Sequence, residues 1–203
     1  MTRSRLFAAL LAPVAIVSLS GCGINSIPTA EEEAKARWAD VQAAYQRRAS
    51  LIPNLVSTVR GAAASEERIL TRVTQARAEA TRVTVSPEQL RDPEAMQRYA
   101  EAQHRLGASI VPLQRLQEAY PQLQSQQNFG TLMQQLESTE NRINITIKDY
   151  NSAVQAYNTR VRTFPDVIGA KIFYGAKPMQ TFQATTPGAE EAPDVNFDTN
   201  TGA

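Results

Sequence analysis

The chain has 203 residues, with 21 Lys and Arg against 20 Asp and Glu and a formal net charge of +1. That balance lacks the clustered basic excess of a dedicated nucleic-acid binder. One Cys and one His exclude a disulfide framework and a zinc site of the usual Cys/His kind, and any nucleophile–His–acid set would have to run through His104. The nine Gly are scattered and form no phosphate loop. Aromatics are only 6%, and a chain rich in Ala, Gln, Glu and Arg favours helix.

Residues 1–21 read as a signal peptide. Arg3 and Arg5 precede an uncharged run from Leu6 to Leu19, too short to span a bilayer as a helix, which takes about 20 residues, but of the right length for a signal h-region. Leu19-Ser20-Gly21-Cys22 resembles the lipobox of bacterial lipoproteins. The resemblance implies that Cys22 receives a diacylglycerol and acyl chains such as palmitate, and that the signal is cut just before it. An ordinary signal peptide with a chance Cys, or an uncleaved anchor, is the alternative. Two or three acyl chains hold a protein on a membrane, at about 0.8 kcal/mol per buried methylene. Gly23 stands where an Asp marks inner-membrane retention in Gram-negative lipoproteins, which implies the outer membrane, facing the periplasm, for a Gram-negative source. Otherwise the extracytoplasmic face of the plasma membrane is expected. Removing 1–21 deletes two Arg and leaves 19 basic and 20 acidic residues.

Residues 22–28 read as a spacer. Thr29-Ala30-Glu31-Glu32 has the form of a capping box and predicts a helix start. The apolar residues Ala34, Trp38, Val41, Tyr45, Ile52, Leu55, Val59, Ala63, Leu70 and Val73 keep a one-sided helical spacing. Pro53 and Gly61 predict a kink or break near one of them. A second start is predicted at Ser86-Pro87-Glu88-Gln89 and Asp92-Pro93-Glu94, followed by a stripe through Tyr99, Gln103, Leu106, Ile110 and Leu113, interrupted at Gly107 and Pro112 and closed by Pro121. The third stripe runs from Phe129 to Phe164 at 3–4 spacing, and only the turn at Thr139 and Glu140 lacks an apolar residue. From Ser125 to Thr163 it predicts a helix about 58 Å long. Val167–Tyr174 reads as one more short helix, stopped by Gly175. Residues 184–203 carry four acids and no base and read as a mostly disordered tail, with only Val195 and Phe197 pinned. The three stripes need one another's cover, so 29–183 is expected to be an all-α, elongated antiparallel bundle of long kinked helices.

The segment Gln46-Arg47-Arg48-Ala49-Ser50-Leu51-Ile52-Pro53-Asn54-Leu55-Val56 resembles the QRR-x-D-L-I-P-N-L-V signature of the LemA family of bacterial envelope proteins. Trp38, Ala76-Arg77-Ala78, Glu140-Asn141-Arg142-Ile143, Tyr150-Asn151, Tyr157-Asn158, Phe164-Pro165 and the Val195-x-Phe197 ending are similar to the family in the same order. Ser50 departs from the usual Asp, Ser65 from a frequent His, and a lipobox stands where most members have a longer transmembrane segment. The resemblance implies an all-α bundle displayed outside the cytoplasm.

Arg47 and Arg48 are helix neighbours, so at most one faces the core. They read either as a contact for anionic lipid or an acidic partner, or as a solvated or ion-paired couple. Asn54 beside Pro53 reads as a structural patch for the carbonyl that Pro53 frees, or as part of a binding site. Asn144, Asn151 and Asn158 share one face at seven-residue spacing. They read as a polar seam fixing helix register, or as a grip on an extended ligand such as a peptide or glycan. Glu66, Glu137 and Glu140 are the acids placed nearest the interior, and His104 is placed at a helix boundary or surface.

These readings lead to a non-enzymatic envelope lipoprotein acting as a scaffold or adaptor. Its expected partners are the membrane, through Cys22, and other envelope proteins, with room for self-association and no nucleic acid. Neither metal nor cofactor is expected. Two alternatives stand beside it: a protein that binds anionic lipid directly and remodels membranes, and a Glu-dependent envelope hydrolase.

Overall fold

The computed structural model describes residues 25–124 and 127–183. The signal peptide, Cys22, and the tail 184–203 with Val195 and Phe197 lie outside the described residues. Helix α1 is Ser26–Ala62, α2 is Glu67–Arg82, α3 is Pro93–Ala119, α4 is the single turn Pro121–Gln124, α5 is Gln127–Arg162 and α6 is Asp166–Gly169. Short 3₁₀ turns at Ala64–Glu66 and Pro87–Arg91 join α1 to α2 and lead into α3. No β-sheet pairing occurs among the described residues.

The long helices form an all-α bundle. α1 and α5 run antiparallel along their whole length. Arg160 meets Ser26, the Tyr150 ring lies 5.1 Å from Trp38, and Glu140 meets Arg48. α3 runs parallel to α1, with Tyr99 beside Trp38 and Gln103 beside Arg48, while α2 folds back from α1 and packs on α3. The apolar stripes meet in two cores. One contains Trp38, Tyr99, Tyr150, Tyr157 and Phe182. The other contains Ile52, Leu55, Val73, Leu106, Leu113 and Phe129. Both are buried, and area removed from water at about 25 cal/mol per Å² is the main stabilising term.

Several boundaries differ from the sequence expectations. α1 begins at Ser26, not at Thr29, so part of the expected spacer 22–28 is helical. Pro28 falls in the first turn, whose N–H groups have no intrahelical acceptor, so the proline removes nothing. Ile27 is buried there, and Thr29 donates its hydroxyl to the Asn25 carbonyl instead of capping. α1 passes through Pro53 and ends just after Gly61. α3 runs unbroken through Gly107 and Pro112, because Leu106, Ile110, Leu113 and Leu116 bury one continuous face and packing overrides local propensity. The second start is as expected: Ser86 and Gln89 form a reciprocal capping box, and the Asp92 side chain accepts from the Glu94 N–H.

Pro53 leaves the Ala49 carbonyl without its usual helical donor. Arg77 of α2 supplies one, its Nε donating to Ala49 O at 2.8 Å. The expected patch, Asn54, is exposed and does not serve. Arg77→Ala is expected to lower unfolding free energy by about 1–2 kcal/mol, the cost of orphaning a part-buried acceptor, measured by urea denaturation. No loss would show that water replaces the guanidinium fully.

Candidate functional site

The three stripes share one irregularity. Arg48 interrupts α1 between Tyr45 and Ile52, Gln103 interrupts α3, and Thr139 interrupts α5. All three are buried, and together they form a polar layer between the two cores. Arg48 is only 4% exposed. Its Nη2 donates to the Gln103 carbonyl at 2.7 Å and to Gln103 Oε1 at 3.3 Å, and its Nη1 pairs with Glu140 Oε2 at 3.2 Å. The guanidinium also stands 5.0 Å from the Tyr45 ring centroid, within cation–π range. Nε is buried and finds no partner among the described residues. Gln103 passes the chain of bonds to α2, its Nε2 donating to Ala80 O at 3.1 Å. Gly107 leaves room for this arrangement, since a Cβ there would lie 3.4 Å from Arg48 Nη1.

Arg47 is exposed, so only one of the two arginines enters the interior. His104 lies well inside α3 and is half-buried, not at a helix boundary or the surface. Glu66 sits elsewhere, accepting from Tyr120 OH at 2.9 Å, and that hydroxyl also bonds Ser65 Oγ at 2.9 Å. Glu137 and Glu140 are exposed and share a groove, so the three acids do not converge. Glu140 is held in the ion pair with Arg48. Among the described residues no group of three His, Cys, Asp or Glu could hold a metal ion.

Residues 175–183 account for the asparagines. After α6 and the turn Ala170–Tyr174, Gly175 adopts φ 54°, a left-handed conformation that glycine tolerates. The chain then runs extended along α5, between α5 and α3. Asn158 Nδ2 donates to Met179 O at 2.9 Å and its Oδ1 accepts the Met179 N–H at 2.8 Å. Asn151 does the same for Phe182, at 2.8 Å both ways. Tyr157 OH donates to Lys177 O at 3.1 Å and Tyr150 OH to Gln180 O at 2.8 Å. Seven helical residues advance about 10.5 Å and three extended residues about 10 Å, so the helix reads the strand at matched periods. Leu90 O accepts the Gln180 N–H at 2.9 Å, and Arg91 Nε donates to Lys177 O at 3.2 Å. Phe182 caps the aromatic core, 5.4 Å from Trp38 and 5.9 Å from Tyr99. The asparagine seam therefore does not set helix–helix register. Asn151 and Asn158 bind an extended segment of the chain itself.

This strand fills one half of the α3–α5 channel. The other half is an open groove of about 710 Å³ floored by Tyr45 and Arg48 and walled by Ile110, Val111, Met133 and Leu136, with His104, Glu137 and Glu140 at its edges. Asn144, the third asparagine of the ladder, is exposed and lies outside this groove, beside Lys148, Asn151 and Thr181.

Burial pushes the Tyr45 phenol up to about 12, with the nearby Arg48 charge pulling the other way. Burial also raises Tyr99 and Tyr150. These groups stay neutral in the fold above the pH near 10 where a free phenol ionises. Their contribution is therefore whole below about pH 10 and is lost as pH climbs toward 12. The urea midpoint is expected to hold to about pH 9.5 and fall steeply above about 10.5. A flat profile to pH about 11.5 would show that these phenols ionise without unfolding the chain.

The LemA family profile matches residues 37–197. The chain belongs to the LemA family. No curated protein matches it. LemA proteins are associated with the cell envelope and are not known as enzymes. No helix among the described residues is long and apolar enough to cross a membrane.

Proposed function

We propose that this LemA protein is a lipid-anchored, non-enzymatic adaptor of the cell envelope. Cys22 carries the diacylglycerol and acyl chains, on the outer membrane facing the periplasm in a Gram-negative cell and otherwise on the outer face of the plasma membrane. The observation that carries the adaptor reading is the half-filled channel between α3 and α5. Its occupied half already holds an extended strand through side-chain bonds to the strand's backbone, and its open half continues along α3 and α5 between His104 and Glu137.

The occupant of the open half is an extended segment of an envelope protein with an apolar residue at every third position. Continuing the chain's own sequence at that period places Thr185 and Gly188 where apolar Met179 and Phe182 stand. Glu137 lies one heptad beyond Asn144 and favours a basic strand, whereas residues 184–203 carry only acids. The groove does not favour the hydrolase. An acid–base pair needs carboxyls in contrasting environments, while Glu137 and Glu140 are both exposed and Glu140 is ion-paired. Exposed Arg47 leaves a lipid contact on α1 as the second reading, without Arg48.

The anchor is tested by Cys22→Ser followed by cell fractionation. The variant is expected to escape signal cleavage at Cys22 and to lose the acylated membrane form. Normal processing and normal membrane retention would overturn the anchor.

A further inference from the structure

The bundle exposes its largest apolar side chains mainly at one place. Phe164, Ile168, Ile172, Phe173 and Tyr174 are 79%, 47%, 71%, 65% and 44% exposed, and elsewhere among the described residues only Val111 and Ile145 match them. Five such groups within eleven residues form a concentrated apolar tip, where a soluble surface usually scatters them singly. Gly169 and Ala170 turn inward and are buried, so Ile168 and Ile172, four apart on the same turn, project outward. Exposed Arg162 and Lys177 flank this segment in sequence, and exposed Lys171 lies within it.

The tip sits at the end of the bundle where α1 begins. Ser26 Oγ donates to Asp166 Oδ2 at 2.8 Å, Arg160 Nη1 donates to the Ser26 carbonyl at 2.7 Å, and a Cβ on Gly169 would lie 3.8 Å from Ile27. Cys22 is four residues before Ser26, at most about 14 Å of extended chain. An acyl anchor on that cysteine therefore delivers this tip to the membrane surface.

We infer that residues 164–174 form a membrane-inserting tip whose partner is the phospholipid bilayer. Phe164, Ile172 and Phe173 enter the boundary between headgroups and acyl chains, about 5–10 Å deep. Arg162, Lys171 and Lys177 reach anionic headgroups from the rim. The tip adds a second membrane contact to the lipid and stands the bundle upright, with the α3–α5 groove away from the surface. The inference rests on the anchored reading for its context, but its test does without the anchor.

The test uses the mature chain, residues 22–203, with Cys22→Ser so that no acyl group is present, and Phe173→Trp as a reporter. Vesicles of phosphatidylethanolamine and phosphatidylglycerol are added. The emission of the new tryptophan, read as the difference from the same chain carrying Trp38 alone, is expected to shift to the blue and to be quenched by lipids brominated near the headgroup, with part of the binding surviving high salt. Adding Phe164→Ser and Ile172→Ser is expected to weaken vesicle binding at least about tenfold while leaving the melting temperature unchanged, because both side chains are exposed. Unshifted emission, equal binding by the serine variants, or a shift that follows protein concentration without vesicles would overturn the inference, the last in favour of a second copy covering the tip. A tip that ignores vesicles, beside a Cys22 acylated in cells, removes the inference and leaves the anchor intact.

Discussion

Trp38→Ala is expected to destabilise the bundle by about 4 kcal/mol, the largest effect of any single substitution considered. Trp38 is 1% exposed and joins four elements. Its ring packs against Tyr99 of α3, Tyr150 of α5 and Phe182 of the extended strand at 5.4, 5.1 and 5.4 Å, and its Nε1 donates to Val85 O at 3.1 Å. Alanine leaves a cavity the size of an indole, lined by three rings in fixed tilted arrangements. The Val85 carbonyl keeps a donor in Gln42 Nε2 at 3.0 Å, so the loss is one of packing. Trp38→Phe, which keeps a ring, is expected to cost about half as much. Urea midpoints at constant slope measure both. Domains of this size are stable by about 5–15 kcal/mol, so a loss under about 1 kcal/mol for alanine would mean that Trp38 does not organise the core.

The asparagine ladder gives the second large effect. Replacing Asn151 and Asn158 together with Ala removes four side-chain hydrogen bonds to the strand backbone and leaves the N–H and C=O of Met179 and Phe182 without partners. At about 0.5–1.5 kcal/mol per bond, the double variant is expected to lose about 3 kcal/mol, and the strand is expected to lift from the channel before the helices unfold. Hydrogen exchange separates these events. The amides of Met179, Gln180 and Phe182 are expected to exchange much faster, while those of α1 and α5 change only with global stability. Asn151→Asp keeps the acceptor for the Phe182 N–H but cannot donate to its carbonyl, so it is expected to fall between wild type and Asn151→Ala. Unchanged protection at Phe182 in the double variant would show that ring packing alone seats the strand.

The helices were legible because their apolar residues recur at 3–4 spacing and because Ser86 and Asp92 carry recognisable caps. Their interruptions mislead. Gly107 and Pro112 look like breaks, yet the buried face of α3 runs through both. The polar layer left a trace, since the α5 stripe lacks an apolar residue only at Thr139 and Glu140, where Arg48 arrives from α1. The donor to the Ala49 carbonyl was not legible, because Arg77 lies 28 positions away. Nor was the strand at 175–183. Its partners are side chains of α5 rather than another strand, so it shows no alternation of period two. The asparagines could be placed on one face, but what they hold depends on where the chain returns. Val167–Tyr174 reads as one more short helix and Phe164 as the end of the third stripe, and sequence cannot say which of their apolar residues remain uncovered.

The adaptor reading is tested most directly in living cells, with the photo-reactive residue benzoylphenylalanine in place of the exposed groove residue Val111. After illumination of intact cells, mass spectrometry identifies what is joined to that position. The tethered adaptor is expected to capture a discrete set of envelope proteins through basic, apolar-patterned segments, and to lose them on Cys22→Ser or Glu137→Lys. Crosslinks only to residues 184–203 of the same chain, the same captures without the acylated cysteine, or none at all would contradict it.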